Sequence, residues 1–303
     1  MKLPRLTIGR ATVHLLNDGF WWDDGGAMFG IVPKALWSRE KPSDDANRIH
    51  MSLVCPLIEV DGELILVDTG IGNRLSEKEA GIHRPERGAG LGGCLRRLGY
   101  EPDDITMVVL SHLHFDHCGG LVQRTGSGHL LPTFPRARYV VQQRELAQAT
   151  APDNPRDAAA YRHVPECLAP LAPRQIECIE GSTTITPAVR TVVTGGHTPT
   201  HQCIVVDSEG AGLVHLADLA PTLPHLRPAW AAAYDVDPLQ VLEEKGRLLA
   251  TIMERGWWVS FDHDDVVASG RLAGTGKRPV VTDQVATPGA APDHGAAPLP
   301  PRT

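Results

Sequence analysis

The sequence predicts a layered α/β or α+β sandwich. Two observations predict it: short Val-, Ile- and Leu-rich runs recur along the chain, and amphipathic stretches of helical period stand among them. A third points to where its chemistry lies, because several of the apolar runs end in Asp or His. At 303 residues the chain is long enough for a substantial core.

The strand candidates, in order, are Leu53–Val60, Leu64–Val67, Met107–Leu110, Arg138–Val141, Thr191–Thr194, Cys203–Val206, Gly212–Leu216 and Trp257–Phe261. Gly62 in the segment EVDGEL joins the first two as a hairpin. Leu91–Leu98 sets Leu91, Leu95 and Leu98 on one helical face. Pro238–Arg255 repeats Leu239, Leu242, Leu248, Leu249 and Ile252 at helical spacing, with Asp237 as its N-cap. Residues 1–282 read as one domain. Residues 283–303, rich in Pro, Ala and Gly, read as a disordered tail that cannot bury enough apolar surface to order itself.

Hydrophobic residues make up 42% of the chain and charged residues 21%, as in globular proteins generally. A formal net charge of -7 argues against nucleic acid or an anionic membrane as partner. No apolar run nears the roughly 20 residues that span a bilayer, and Met1–Arg10 lacks the apolar stretch of a secretory signal. The six cysteines are scattered without a CxxC pair, which fits reduced thiols and a cytoplasmic location.

The strongest local signal is His112-Leu113-His114-Phe115-Asp116-His117. On an extended segment His112 and His114 point the same way, while Asp116 and His117 turn toward a second ion. Imidazole and carboxylate are good zinc ligands at about 2.0–2.2 Å. Four other strand ends carry Asp68, His197, Asp218 and the pair Asp262-His263. Loops converge at strand ends in layered α/β folds, so these groups are expected on one edge. The competing reading of each alone is bland: a surface loop histidine, or a turn or N-cap aspartate. For His263, Asp262 and Asp264 beside it compete as ligands.

The series HLHFDH, the strand ending at Asp68, then His197, Asp218 and His263 resembles the motif series of the metallo-β-lactamase superfamily. The resemblance spans about residues 50 to 265. It implies a four-layer αβ/βα sandwich with two metal ions at one edge. It assigns His112, His114 and His197 to one ion, Asp116, His117 and His263 to the other, Asp218 as a bridge and Asp68 as support behind them. Zinc is the default from ligand type; iron, manganese and cobalt accept the same ligands.

Within that superfamily, Gly25–Trp37 (GGAMFGIVPKALW) and Ala217–Pro238 resemble the quorum-quenching branch that opens N-acyl-homoserine lactones. The chain departs from that branch at Pro221, where many homoserine lactonases carry a substrate-polarising tyrosine. His225 and Tyr234 are the nearest substitutes. The expected chemistry is attack of a metal-bridging hydroxide on a lactone carbonyl, with Asp116 relaying the proton and His201 orienting the site from behind. The aromatic stretch Phe20, Trp21, Trp22, Met28, Phe29, Ile31 and Trp37 reads either as a cap on the core, as an apolar wall for an acyl chain, or as a homodimer contact.

Two-metal sites also cleave phosphodiesters and phosphotriesters, but no Arg or Lys cluster flanks the motifs to clamp phosphate. The complete ligand set weighs against a β-lactamase, and the absence of a following flavin-binding domain weighs against an iron redox protein. A purely structural zinc needs neither a second ion nor an open position.

Overall fold

The computed structural model describes residues 3–276 and 278–290. Two seven-stranded sheets form the centre. The first runs, neighbour to neighbour, Arg5–Ile8, Ala11–Asp24, Arg48–Val60, Glu63–Val67, Met107–Val109, Arg138–Gln142 and Ile176–Ile179. Its first four strands are antiparallel, and its last three join in parallel. The second runs Thr184–Thr186, Val189–Val193, Gln202–Ser208, Ala211–His215, Trp258–Ser260, Val267–Thr275 and Arg278–Ala286. Only Ala211–His215 and Trp258–Ser260 pair in parallel there.

Alternation along each strand decides what faces what. Ile58, Ile65, Val67, Val109 and Val140 meet Ile204, Val206, Leu213 and Ala268 between the sheets. The intervening residues Leu57, Leu66, Val108 and Tyr139 face outward, under Leu91, Leu95, Tyr161 and Val164 from the covering helices. On the far side Cys203, Val205, Val214 and Val259 pack under the helix Pro238–Arg255 through Val241, Leu248, Leu249 and Ile252. The result is helix, sheet, sheet, helix: the four-layer αβ/βα sandwich expected.

All eight expected strands and both expected helices are present with small boundary shifts. Asp237 caps its helix, accepting from the Gln240 N–H at 3.0 Å. The face of that helix differs from expectation: Leu239 is 77% exposed, while Lys245 is buried one turn beyond Val241. The expected tail also starts too early. Asp283–Ala286 completes the last edge strand, and Thr287 is buried, its hydroxyl donating to Asp264 O at 2.7 Å. Residues 291–303 of that expected tail lie outside the described residues. Among the described residues no helix is long and apolar enough to cross a membrane.

Candidate metal centre

Five loops meet at one end of the two sheets. Parallel pairing of Glu63–Val67 with Met107–Val109 sets Asp68 beside the start of the histidine segment, and the Asp68 N–H donates to Val109 O at 3.0 Å. Close approach of the loops needs glycine. A Cβ on Gly120 would stand 2.1 Å from Thr69 O, so the turn after His117 can lie against the turn after Asp68. In the second sheet, Gly196 at φ +82° lets the His197 loop pass the start of the long helix, where a Cβ would meet Val241 N at 2.8 Å.

His112, His114, His197 and Asp218 form one group able to hold an ion; His117, Asp218, Asp262 and His263 form a second. Asp218 is common to both. In the first group His197 Nε2 lies 2.9 Å from Asp218 Oδ2 and 3.1 Å from His114 Nδ1, and His112 Nε2 lies 3.6 Å from Asp218 Oδ2. Asp116 joins the second group, its Oδ2 being 3.3 Å from His263 Nε2 and 3.6 Å from His117 Nε2. All seven residues expected as ligands are therefore within one cluster.

The cluster's chemistry fits divalent cations. His112 Nε2, His117 Nε2, Asp218 Oδ1 and Asp262 Oδ2 are buried without a hydrogen-bond partner. Buried polar atoms are seldom left so, and here they converge. Burial pushes His112 well below its ordinary range, with the neighbouring His117, His114 and His197 adding to it; burial and His197 take His114 down to about 3. For His117, burial pulls downward, but Asp116 and Asp218 outweigh it and raise the imidazole well above its usual range. Burial likewise opposes, and Asp218 overcomes, the rise of His197 to about 10. Protons thus gather among the carboxylates, where a bound cation would displace them.

Behind the cluster four of its five histidines have a fixed partner. His117 Nδ1 meets Asp68 Oδ2 at 2.9 Å, His197 Nδ1 meets Asp235 Oδ1 at 2.8 Å, His263 Nδ1 meets Ser52 O at 2.9 Å, and His112 Nδ1 meets Ser111 Oγ at 3.0 Å. Such contacts fix ring orientation and aim the other nitrogen at the metal position. Asp68 also accepts from the Ser111 N–H at 2.7 Å, so it lies behind the donors as expected.

Of the other expected residues, His201 is fully buried, with Nδ1 2.7 Å from Thr194 Oγ1 and its ring 5.4 Å from that of His112. It backs the cluster. The expectation that His225 replaces the missing tyrosine is corrected. Its Nδ1 is 2.6 Å from Thr222 Oγ1, its Nε2 is 2.8 Å from Met28 O, and it stacks on Phe29 at 4.8 Å. Both nitrogens are spent inside the core, so it cannot meet a substrate. Tyr234 is 40% exposed and donates to Asp23 Oδ2 at 2.7 Å. Pro221 O accepts from the His263 N–H at 3.0 Å, tying the loop after Asp218 to the second group. The N-terminal aromatics mainly form a core cluster with Ile49, Met51 and Trp230, although Trp21 lies 5.7 Å from the His263 ring and Ile31 is exposed.

Two contributors have no local sequence signal. Asp235 sits in a loop far from His197 in the chain. Glu145, buried in a helix, accepts from the Leu113 N–H at 3.1 Å, Tyr161 Oη at 2.8 Å, Thr198 Oγ1 at 2.7 Å and Thr200 Oγ1 at 3.2 Å. It joins the loop carrying His112 and His114 to the loop carrying His197.

The profile of the metallo-beta-lactamase superfamily matches residues 54–252, and the chain belongs to that family. It is thereby a metal-dependent hydrolase. An N-acyl homoserine lactonase of Bacillus cereus is 29% identical over 237 residues, covering 72% of this chain and 83% of that protein. A probable metal-dependent hydrolase from Staphylococcus aureus is 30% identical, with TM-score 0.81 over 92% of this chain and 100% of its own. A dizinc quorum-quenching lactonase solved with a product, N-hexanoyl-L-homoserine, has TM-score 0.74 at 20% identity, covering 92% and 96%, and shares the fold.

Proposed function

We propose that the chain is a dinuclear lactonase that opens the ring of an N-acyl homoserine lactone or a closely similar lactone. The observation that carries the proposal is the convergence of His112, His114, His197, Asp116, His117 and His263 around Asp218, in a chain whose curated relative is an N-acyl homoserine lactonase. His112, His114 and His197 would hold one ion, and Asp116, His117 and His263 the other, with Asp218 common to the two groups. When bound, the metals supply a hydroxide nucleophile at neutral pH and a Lewis acid for the carbonyl oxygen.

The chain's own residues do the remainder. Asp116, held at about 2 despite its burial by His117 and His263, stays a carboxylate and receives the proton that must reach the leaving alkoxide. Trp21 and Phe115, 5.8 Å apart edge to face, set apolar surface beside the cluster, Trp21 lying 5.7 Å from the His263 ring. Tyr234, 40% exposed and with its hydroxyl donating to Asp23 Oδ2 at 2.7 Å, takes the role of the tyrosine absent at Pro221.

Ring opening releases a proton, so a pH-indicator assay over homoserine lactones of short and long acyl chain tests the proposal. Hydrolysis of lactones is expected. A metal-loaded protein that leaves every lactone intact and hydrolyses a phosphotriester would overturn it.

A further inference from the structure

The second group holds one carboxylate more than the motif series requires. Asp262 precedes His263, its side chain is almost wholly buried, and its Oδ1 accepts from the His263 N–H at 3.0 Å. Its Oδ2 has no hydrogen-bond partner. That oxygen stands 3.4 Å from His263 Nε2 and 3.7 Å from His117 Nε2. Those are the separations at which Asp116 Oδ2 faces the same nitrogens, 3.3 and 3.6 Å, and Asp218 follows at 3.5 and 3.6 Å. Three carboxylates and two imidazoles thus surround one point. The first group has three imidazoles and Asp218. Its nearest further acid, Asp235, is spent on His197 Nδ1, the nitrogen turned away from the group.

We propose that Asp262 is an additional donor at the second position, making it oxygen-rich and suited to a harder divalent ion, manganese or iron(II), while the three-histidine position takes zinc. The inference rests on the dinuclear reading above and deepens it. Carboxylates favour manganese, and imidazoles favour zinc. Five protein donors also exceed the four that a zinc site ordinarily uses. A buried carboxylate oxygen with no donor is costly unless a cation neutralises it, and no Lys or Arg pairs with Asp262 among the described residues.

The test separates the two positions. Protein stripped with a chelator is loaded with one equivalent of zinc, then titrated with Mn2+ and followed by electron paramagnetic resonance. Asp262→Asn keeps an oxygen for the His263 N–H but turns an amide toward the cluster. Manganese should bind the zinc-loaded wild type and bind the variant about tenfold or more weakly, with zinc affinity less affected. Asp262→Ala, checked for folding by circular dichroism in the stripped state, should do the same. In wild type, cobalt at the second position should give the weak visible bands of five or six donors. Equal manganese affinity in wild type and both variants, or intense four-coordinate cobalt bands, would overturn the inference while leaving two metals in place. A protein that takes up no metal at all would instead overturn the dinuclear reading, and this inference with it.

Discussion

Asp68 Oδ2 lies 2.9 Å from His117 Nδ1, and His117 Nε2 on the far side of the ring has no hydrogen-bond partner. The contact determines which nitrogen carries the proton and leaves Nε2 free for a metal. Asp68 adopts φ +54°, a left-handed conformation that Asn also tolerates. Asp68→Asn therefore keeps the backbone. If its oxygen retains the Ser111 N–H, its amide N–H faces His117 Nδ1 and opposes the required tautomer. Metal affinity at the second position should fall about 10–100-fold, with turnover falling alongside. Zinc titration against a chromophoric chelator reads this directly; unchanged affinity would refute it.

Glu145 should matter to the first position alone. Its four partners all face it as donors, which a carboxylate satisfies and an amide does not. Tyr161, which donates to it, also packs 5.0 Å from the His114 ring. Glu145→Gln should destabilise the stripped protein by about 1–3 kcal/mol and loosen the His112, His114 and His197 arrangement. The expected result is faster chelator removal of one metal of the two. Tyr161→Phe, a gentler change, should show the same bias to a smaller degree. Equal loss of both metals would assign Glu145 to the fold only.

The difference between Asp68 and Glu145 shows how much of the molecule is legible in the sequence. Asp68 directly follows a strand, stands two residues before Gly70 and belongs to the same motif series as the seven expected ligands. Glu145 and Asp235 act across the fold, on loops far away in the chain, and no periodicity marks them. The same limit explains the missed strands. Val267–Thr275 and Arg278–Ala286 form a half-exposed edge hairpin whose polar residues break the apolar runs that reveal central strands. Ala11–Asp24 mixes Asn, Asp and Trp because it bends at an irregularity between Asn17 and Phe20. His225 departs from expectation for a related reason: sequence distance from Asp218 says nothing about whether a ring faces the site or the core.

Lys245 gives a pH dependence with a definite sign. It is buried, and its ammonium donates to His225 O at 2.9 Å and to Trp230 O, so it fastens the loop after Asp218 to the long helix. Burial lowers its pKa from 10.5 to about 8, with Asp235 opposing. Between those values the unfolded chain binds the proton and the folded chain does not. Folding stability from this group therefore rises with pH across that window and is penalised below about 8. The stability difference between wild type and Lys245→Met, measured by urea unfolding of the stripped protein at pH 7.5 and pH 10, should shift toward wild type by about 2–3 kcal/mol. No shift would mean that Lys245 keeps its charge in the folded protein.

Tyr234 and His225 make opposite predictions. In Tyr234→Phe the half-exposed ring stays and one hydroxyl on Asp23 is lost. Melting temperature should change little. If the hydroxyl supports the carbonyl as charge develops, kcat for lactone opening should fall about tenfold or more while metal content holds at wild-type level. His225→Phe retains the stack on Phe29 but leaves Met28 O and Thr222 Oγ1 without their partner. That should cost about 1–3 kcal/mol of stability, and the folded fraction should keep a near wild-type kcat. Thermal melts beside steady-state kinetics on one lactone decide the pair. A Tyr234→Phe enzyme with full kcat would leave Pro221 without a functional replacement, and the metals would then carry carbonyl activation without a tyrosine.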